Sequence, residues 1–114
     1  MSAETVVERL CNLPNAFRGG MKSSVQLVAE SGIAQCESAL SVDAVAQHLG
    51  KHPELIEEWL RWSDDKRSSD GWYFLRGDDG YVVGFYPTRE VLRFSGAAIA
   101  CAEFVIREVH SIRA

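Results

Sequence analysis

Residues 41–60 read SVDAVAQHLGKHPELIEEWL, and the order of apolar residues, glycine and proline within them decides the fold class. Ser41 is a good N-cap, and Asp43 falls in the first turn, where the helix dipole favours a negative charge. Val42, Val45, Ala46 and Leu49 recur at helical spacing, and Gly50 follows where a glycine commonly stops a helix. After Lys51 and His52, Pro53 takes the first-turn position that tolerates proline. Leu55, Ile56, Trp59 and Leu60 then carry a second apolar stripe, on a helix reaching Trp62. Two short helices joined by a glycine-containing turn predict a helix-turn-helix unit.

Towards the C-terminus the period changes from helical to alternating. Trp72-Tyr73-Phe74-Leu75 and Tyr81-Val82-Val83-Gly84-Phe85-Tyr86 are aromatic and β-branched, which predicts two strands. Arg76-Gly77-Asp78-Asp79-Gly80 between them predicts the hairpin loop, and Pro87 ends the second strand. Thr88 is then expected to cap a long helix running to Ile112. Towards the N-terminus, Ser23 to Ala29 predicts a helix that resumes through Ile33 to Cys36. Thr5 to Cys11 predicts another, with Thr5 and Glu8 at capping-box spacing. Leu13-Pro14-Asn15 is expected to interrupt it, and Gly19-Gly20 to close the region.

The order helix, Ser41-to-Leu49 helix, glycine turn, Pro53-to-Trp62 helix and two-stranded hairpin resembles the winged helix-turn-helix superfamily over residues 23–87. The pattern Val42-x-x-Val45-Ala46-x-x-Leu49-Gly50 is similar to the supporting helix of bacterial winged-helix regulators. The expectation is therefore an α+β, mainly helical, winged-helix-like domain with a two-stranded hairpin and a long C-terminal helix. It forms a single domain over 1–114: an N-terminal helical segment (1–22), the winged-helix-like core (23–87) and the C-terminal helix (88–114). The resemblance implies DNA binding, with the second helix in the major groove and the hairpin along the backbone.

The charges argue against that implication. DNA contact relies on lysine and arginine neutralising phosphates. Between Pro53 and Pro87 the acids are Glu54, Glu57, Glu58, Asp64, Asp65, Asp70, Asp78 and Asp79, against Arg61, Lys66, Arg67 and Arg76. The excess of acid in this stretch equals the net charge of the whole chain, −4. On the presumed recognition helix the outward positions are Glu54, Glu57, Glu58 and Arg61, three of which repel phosphate. The leading expectation is thus a non-enzymatic protein-interaction or regulatory domain, inhibitor- or immunity-like, whose acidic surface binds a basic partner. Glu54, Glu57, Glu58, Arg61, Asp64, Asp65, Asp78, Asp79 and Tyr81 are its candidate contact residues, with Trp62, Trp72, Tyr73 and Tyr86 nearby as aromatic anchors or core. The alternative is a dimeric winged-helix transcription regulator contacting DNA through Arg18, Lys22, Lys51, Lys66, Arg67 and Arg76. A third is a dimer binding a small apolar ligand between hairpin and long helix.

Along the C-terminal segment Val91, Ser95, Ala98, Ala102, Val105 and Val109 alternate in steps of four and three, the spacing of a coiled-coil seam. Phe94, Ala97, Cys101 and Phe104 make a second stripe, and a helix apolar on two sides must be buried on two sides. These six seam residues predict a homodimer interface.

The remaining composition excludes more than it assigns. Apolar residues are 46% and charged residues 25% of 114, as in an ordinary globular domain. The sequence has no apolar run of membrane-spanning length and opens without a signal-peptide pattern, which predicts a cytoplasmic chain with no membrane partner. Cys11, Cys36 and Cys101 are odd in number and widely spaced, so they read as apolar packing residues rather than disulfides. His48 and His52 are four apart, but Gly50 and Pro53 are expected to break the helix around them, so no metal site is assigned. Gly19-Gly20-Met21-Lys22-Ser23-Ser24 fails the phosphate-loop pattern, because Met21 separates glycine from lysine. Arg76-Gly77-Asp78 reads as a turn, and no serine, cysteine or histidine falls in a catalytic constellation. No cofactor is expected.

Overall fold

A computed structural model describes residues 2–66 and 70–114. Among these the chain is mainly helical α+β, with six α-helices and one three-stranded antiparallel sheet. Helix α1 spans Ala3–Cys11 and α2 spans Leu13–Gly19. The N-cap of α1 is Ser2, whose hydroxyl accepts from the Thr5 N–H at 3.2 Å. Thr5 itself lies inside the helix rather than capping it. Pro14 falls in the first turn of α2, where its missing N–H costs nothing, so the expected breaker starts a helix instead.

Helix α3 spans Ser24–Glu30, capped by the Ser23 hydroxyl, and two short 3-10 turns follow at Ile33–Gln35 and Glu37–Ala39. Helix α4 spans Val42–Lys51, with the Ser41 hydroxyl accepting from the Ala44 N–H at 3.1 Å as the sequence predicts. Gly50 does not stop it. The helix runs through Gly50, and the His52 N–H donates to the His48 carbonyl at 3.1 Å. Pro53 precedes α5, Glu54–Lys66, which extends four residues beyond Trp62.

Strands β1 (Gly71–Gly77) and β2 (Gly80–Tyr86) pair around a two-residue turn, Asp78-Asp79. The expected long terminal helix is not continuous. Residues Glu90–Phe94 form a third strand, β3, paired antiparallel to β2, and only Ala97–Arg113 form the final helix, α6. Phe85 pairs with Glu90, and the Arg89 N–H closes the intervening turn on the Phe85 carbonyl at 2.9 Å. Arg89 sits at φ 66°, in the left-handed region, which places it at the tightest point of this turn. The physical reason for β3 is the second edge of β2, whose backbone groups need partners.

Alternation sets the two faces of the sheet. Trp72, Phe74, Tyr81, Val83, Phe85, Leu92 and Phe94 share the inner face, because each stands opposite another in the register. Helix α6 lies across that face and also packs on α3, α4 and α5. Ala100, Cys101, Ala102, Phe104, Val105 and Val109 on it are fully buried. Phe104 stacks on Phe74 at 5.7 Å between ring centres and meets Trp59 edge-on at 5.9 Å. The Trp59 Nε1–H donates to the Cys11 carbonyl at 2.9 Å, so the largest core side chain also satisfies the end of α1.

This arrangement corrects the dimer seam. Val91 and Ser95 are not on the helix, Ala98 is half-buried, and Ala102, Val105 and Val109 lie in the core of the same chain. The two apolar sides of α6 are both covered, by helices on one side and the sheet on the other.

Candidate protein-interaction surface

Helix α5 turns Leu55, Ile56, Trp59 and Ser63 inward. The buried Ser63 hydroxyl accepts from the Phe74 N–H at 2.6 Å, which lays α5 along the free edge of β1. The outward residues of α5 and the outer side of β1 are thereby brought onto one surface. Leu60 and Leu75 both line a shallow depression bordered by Glu57, Arg61, Asp64 and Arg76.

The candidate contact residues divide accordingly. Glu54, Glu57, Arg61, Asp64 and Asp65 are exposed on α5, and Asp78 and Asp79 are exposed at the hairpin tip. Glu57 meets Arg76 at 2.5 Å, linking helix to strand. Glu58 is half-buried; Arg18 approaches it at 2.6 Å and Arg61 at 3.6 Å, an ion pair without a well-aligned hydrogen bond. Tyr81 belongs to the inner face instead. It stacks on Phe74 at 5.9 Å and carries Arg76 over its ring, so its aromatic surface is engaged within the chain. Alternation along β2 explains this: Tyr81 has the parity of the fully buried Val83.

The cations are as informative as the acids. Of the six basic residues that DNA contact would require, Arg18 pairs with Glu58, Lys22 with Glu30, Lys66 with Glu108 and Arg76 with Glu57. Lys51 is exposed at the end of α4, and Arg67 lies outside the described residues. Glu57, through a hydrogen bond, raises the Arg76 pKa, and Lys22, with Gln26, lowers that of Glu30.

The sequence reading missed the outer face of the sheet. Tyr73, Leu75, Val82, Tyr86 and Val91 all point away from α6, and Tyr86 and Val91 are 54% and 40% exposed. The Tyr73 ring covers Gly84 across the strand pair, within 2.3 Å of where a Cβ would stand. The signal was the alternation of Glu90-Val91-Leu92-Arg93-Phe94, obscured because Val91 also fits a helical step to Ser95. Phe17 and Val25 are further exposed apolar side chains, and Phe17 meets Trp62 edge-on at 5.3 Å.

Among the described residues no group of three or more histidine, cysteine, aspartate or glutamate side chains is arranged to hold a metal ion. The three cysteines are free, with Cys11 and Cys101 buried. No helix among the described residues is long and apolar enough to cross a membrane. Comparison with family models, with curated proteins and with solved structures finds no match to this chain.

Proposed function

We propose that this is a binding domain rather than a catalyst, and that its partner is a basic protein docked on the surface shared by α5 and the hairpin. The observation that carries the proposal is the internal pairing of Arg18, Lys22, Lys66 and Arg76 with carboxylates of the same chain. A carboxylate held 2.5 to 2.6 Å from a cation offsets part of that cation's attraction for phosphate, most of all at Lys66, whose partner Glu108 is buried. Glu54, Asp65, Asp78 and Asp79 are meanwhile exposed, and the chain carries −4 overall. Leu60, Leu75 and the outer-face aromatics supply apolar contact beside this acidic rim, the combination that protein interfaces use. Association with a positively charged partner is expected to be steered by charge and to weaken with salt.

The test uses two probes side by side, a lysine-rich basic polypeptide and random duplex DNA, both at low salt. The expected result is salt-sensitive binding of the polypeptide, none of the duplex, and loss of the former in the triple variant Glu54→Lys, Asp78→Lys, Asp79→Lys. These positions are preferred to Glu57 and Glu58, whose replacement would also break ion pairs inside the domain. Salt-sensitive binding of the duplex would overturn the proposal in favour of a winged-helix regulator reading DNA.

A further inference from the structure

The sheet has two edges, and among the described residues only one of them is covered. Gly77 and Gly80 flank the two-residue turn and form a hydrogen-bonded pair, so alternate residues of β1 bond to β2 and the backbone of Trp72, Phe74 and Arg76 faces the other way. There α5 lies, and the Ser63 hydroxyl accepts the Phe74 N–H at 2.6 Å. The same alternation carries across β2: Glu90, Leu92 and Phe94 of β3 bond to Phe85, Val83 and Tyr81. The N–H and C=O groups of Val91 and Arg93 therefore point out of the sheet, and no other described residue bonds to them. We propose that this edge pairs with the same edge of a second copy of the chain, β3 antiparallel to β3 about a two-fold axis, joining two three-stranded sheets into one of six strands.

Backbone groups turned outward in this way are a template for another strand. A two-fold axis perpendicular to the sheet keeps each face on its own side, so residues of the same parity stand opposite one another. Three registers centre on the middle of β3. Centring on Val91 sets Arg89 against the partner's Arg93, and centring on Arg93 sets it against the partner's Arg93; both oppose like charges directly. Centring on Leu92 instead sets Val91 against the partner's Arg93, where the two exchange both main-chain hydrogen bonds, twice by symmetry. It also brings Arg89 against the partner's Ser95. Ser95 lies in a depression of about 440 Å³ lined also by Asp78, Asp79, Arg93 and Phe94, two carboxylates against one cation. Arg89 is exposed and enters no ion pair within the described residues of its own chain. Charge complementarity thus names the occupant: Arg89 of one copy meets Asp78 and Asp79 of the other, at both ends of the paired strands. Because α5 takes up the β1 edge, each copy has one open edge, and the assembly closes at two chains rather than growing into a fibre. The contact uses none of the outward residues of α5, and its test needs no other protein.

The experiment is sedimentation of the intact chain over a wide range of concentrations at low salt, with amide hydrogen exchange read by NMR at both ends of the range. The expected mass rises from 12.7 kDa to twice that value. The Val91 and Arg93 amides should slow by more than about tenfold on pairing, while those of Leu92 and Phe94, already bonded to β2, change little. Val91→Pro removes an outward N–H that β2 does not use. It should weaken the dimer by about tenfold or more, since the two-fold deletes two main-chain bonds at once. Arg89→Gly suits the left-handed φ of 66° at this turn, and should weaken the dimer by about threefold and lessen its dependence on salt. A chain of 12.7 kDa at every concentration, a dimer whose Val91 and Arg93 amides exchange as fast as in the monomer, or full affinity in either folded variant would overturn the proposal.

Discussion

Lys66 Nζ lies 2.6 Å from Glu108 Oε2, across the contact between the end of α5 and the middle of α6. Glu108 is 2% exposed, and its carboxylate also accepts from the Trp62 Nε1–H at 2.8 Å. A buried carboxylate is tolerated only when such partners replace the water it has lost. Lys66→Ala should therefore destabilise the domain by about 2 kcal/mol, less than for a fully buried pair because Lys66 is itself partly exposed. Urea unfolding measures this. A change below about 0.5 kcal/mol, the range of ordinary surface substitutions, would mean that water reaches Glu108 freely.

Two glycines in β2 should respond unequally to alanine. Gly80 has φ 144°, and a Cβ there would stand 2.3 Å from the Phe94 carbonyl oxygen, a backbone atom that cannot move without breaking β3 from β2. Gly84 would meet only the outer end of the Tyr73 side chain, which can swing towards solvent. Gly80→Ala is expected to cost about 3 kcal/mol and Gly84→Ala about 1 kcal/mol. Equal losses in thermal or urea unfolding would contradict the pairing of β3 described above.

Helix α6 offers a similar contrast. Ala102 is fully buried and Ile99, three residues before it, is 43% exposed. Ala102→Glu would place an unpaired charge in the core and should abolish cooperative unfolding. Ile99→Glu should leave a folded chain of nearly unchanged stability. A folded Ala102→Glu variant with altered mass in solution would restore the seam as an interface between chains.

The thiols give a prediction in pH. Burial pushes Cys11 up from 9.0 to about 12 and also raises Cys101, with nearby Cys11 adding to the rise. Above pH 9 the unfolded chain ionises these thiols while the native chain does not, so stability is complete below that pH and falls as pH rises. For Cys11 the window is pH 9 to about 12, at about 1.4 kcal/mol per pH unit. Cys11→Ala should flatten the alkaline slope of stability relative to the parent chain. At pH 8 only the half-buried Cys36 should react quickly with an alkylating reagent, which mass spectrometry reads directly.

The amino-acid sequence by itself determined what depends on neighbours a few residues apart. Ser23 and Ser41 cap helices because their hydroxyls reach N–H groups three residues on. Trp72 to Tyr86 form a hairpin because aromatic residues alternate around a turn. The apolar stripe of α5 was legible for the same reason. Tertiary structure decided the rest. Residues 90–94 could continue a helix or extend a sheet, and the unpaired edge of β2, an element built elsewhere, settled that choice. The acidic residues of α5 were legible one by one, but not the arginine partners of Glu57 and Glu58, which arrive from α2, β1 and α5 itself. Nor could spacing say whether the seam of α6 faced a second chain or its own sheet. Helical periodicity marks which side of a helix avoids water, and only the packing of distant segments decides what covers it.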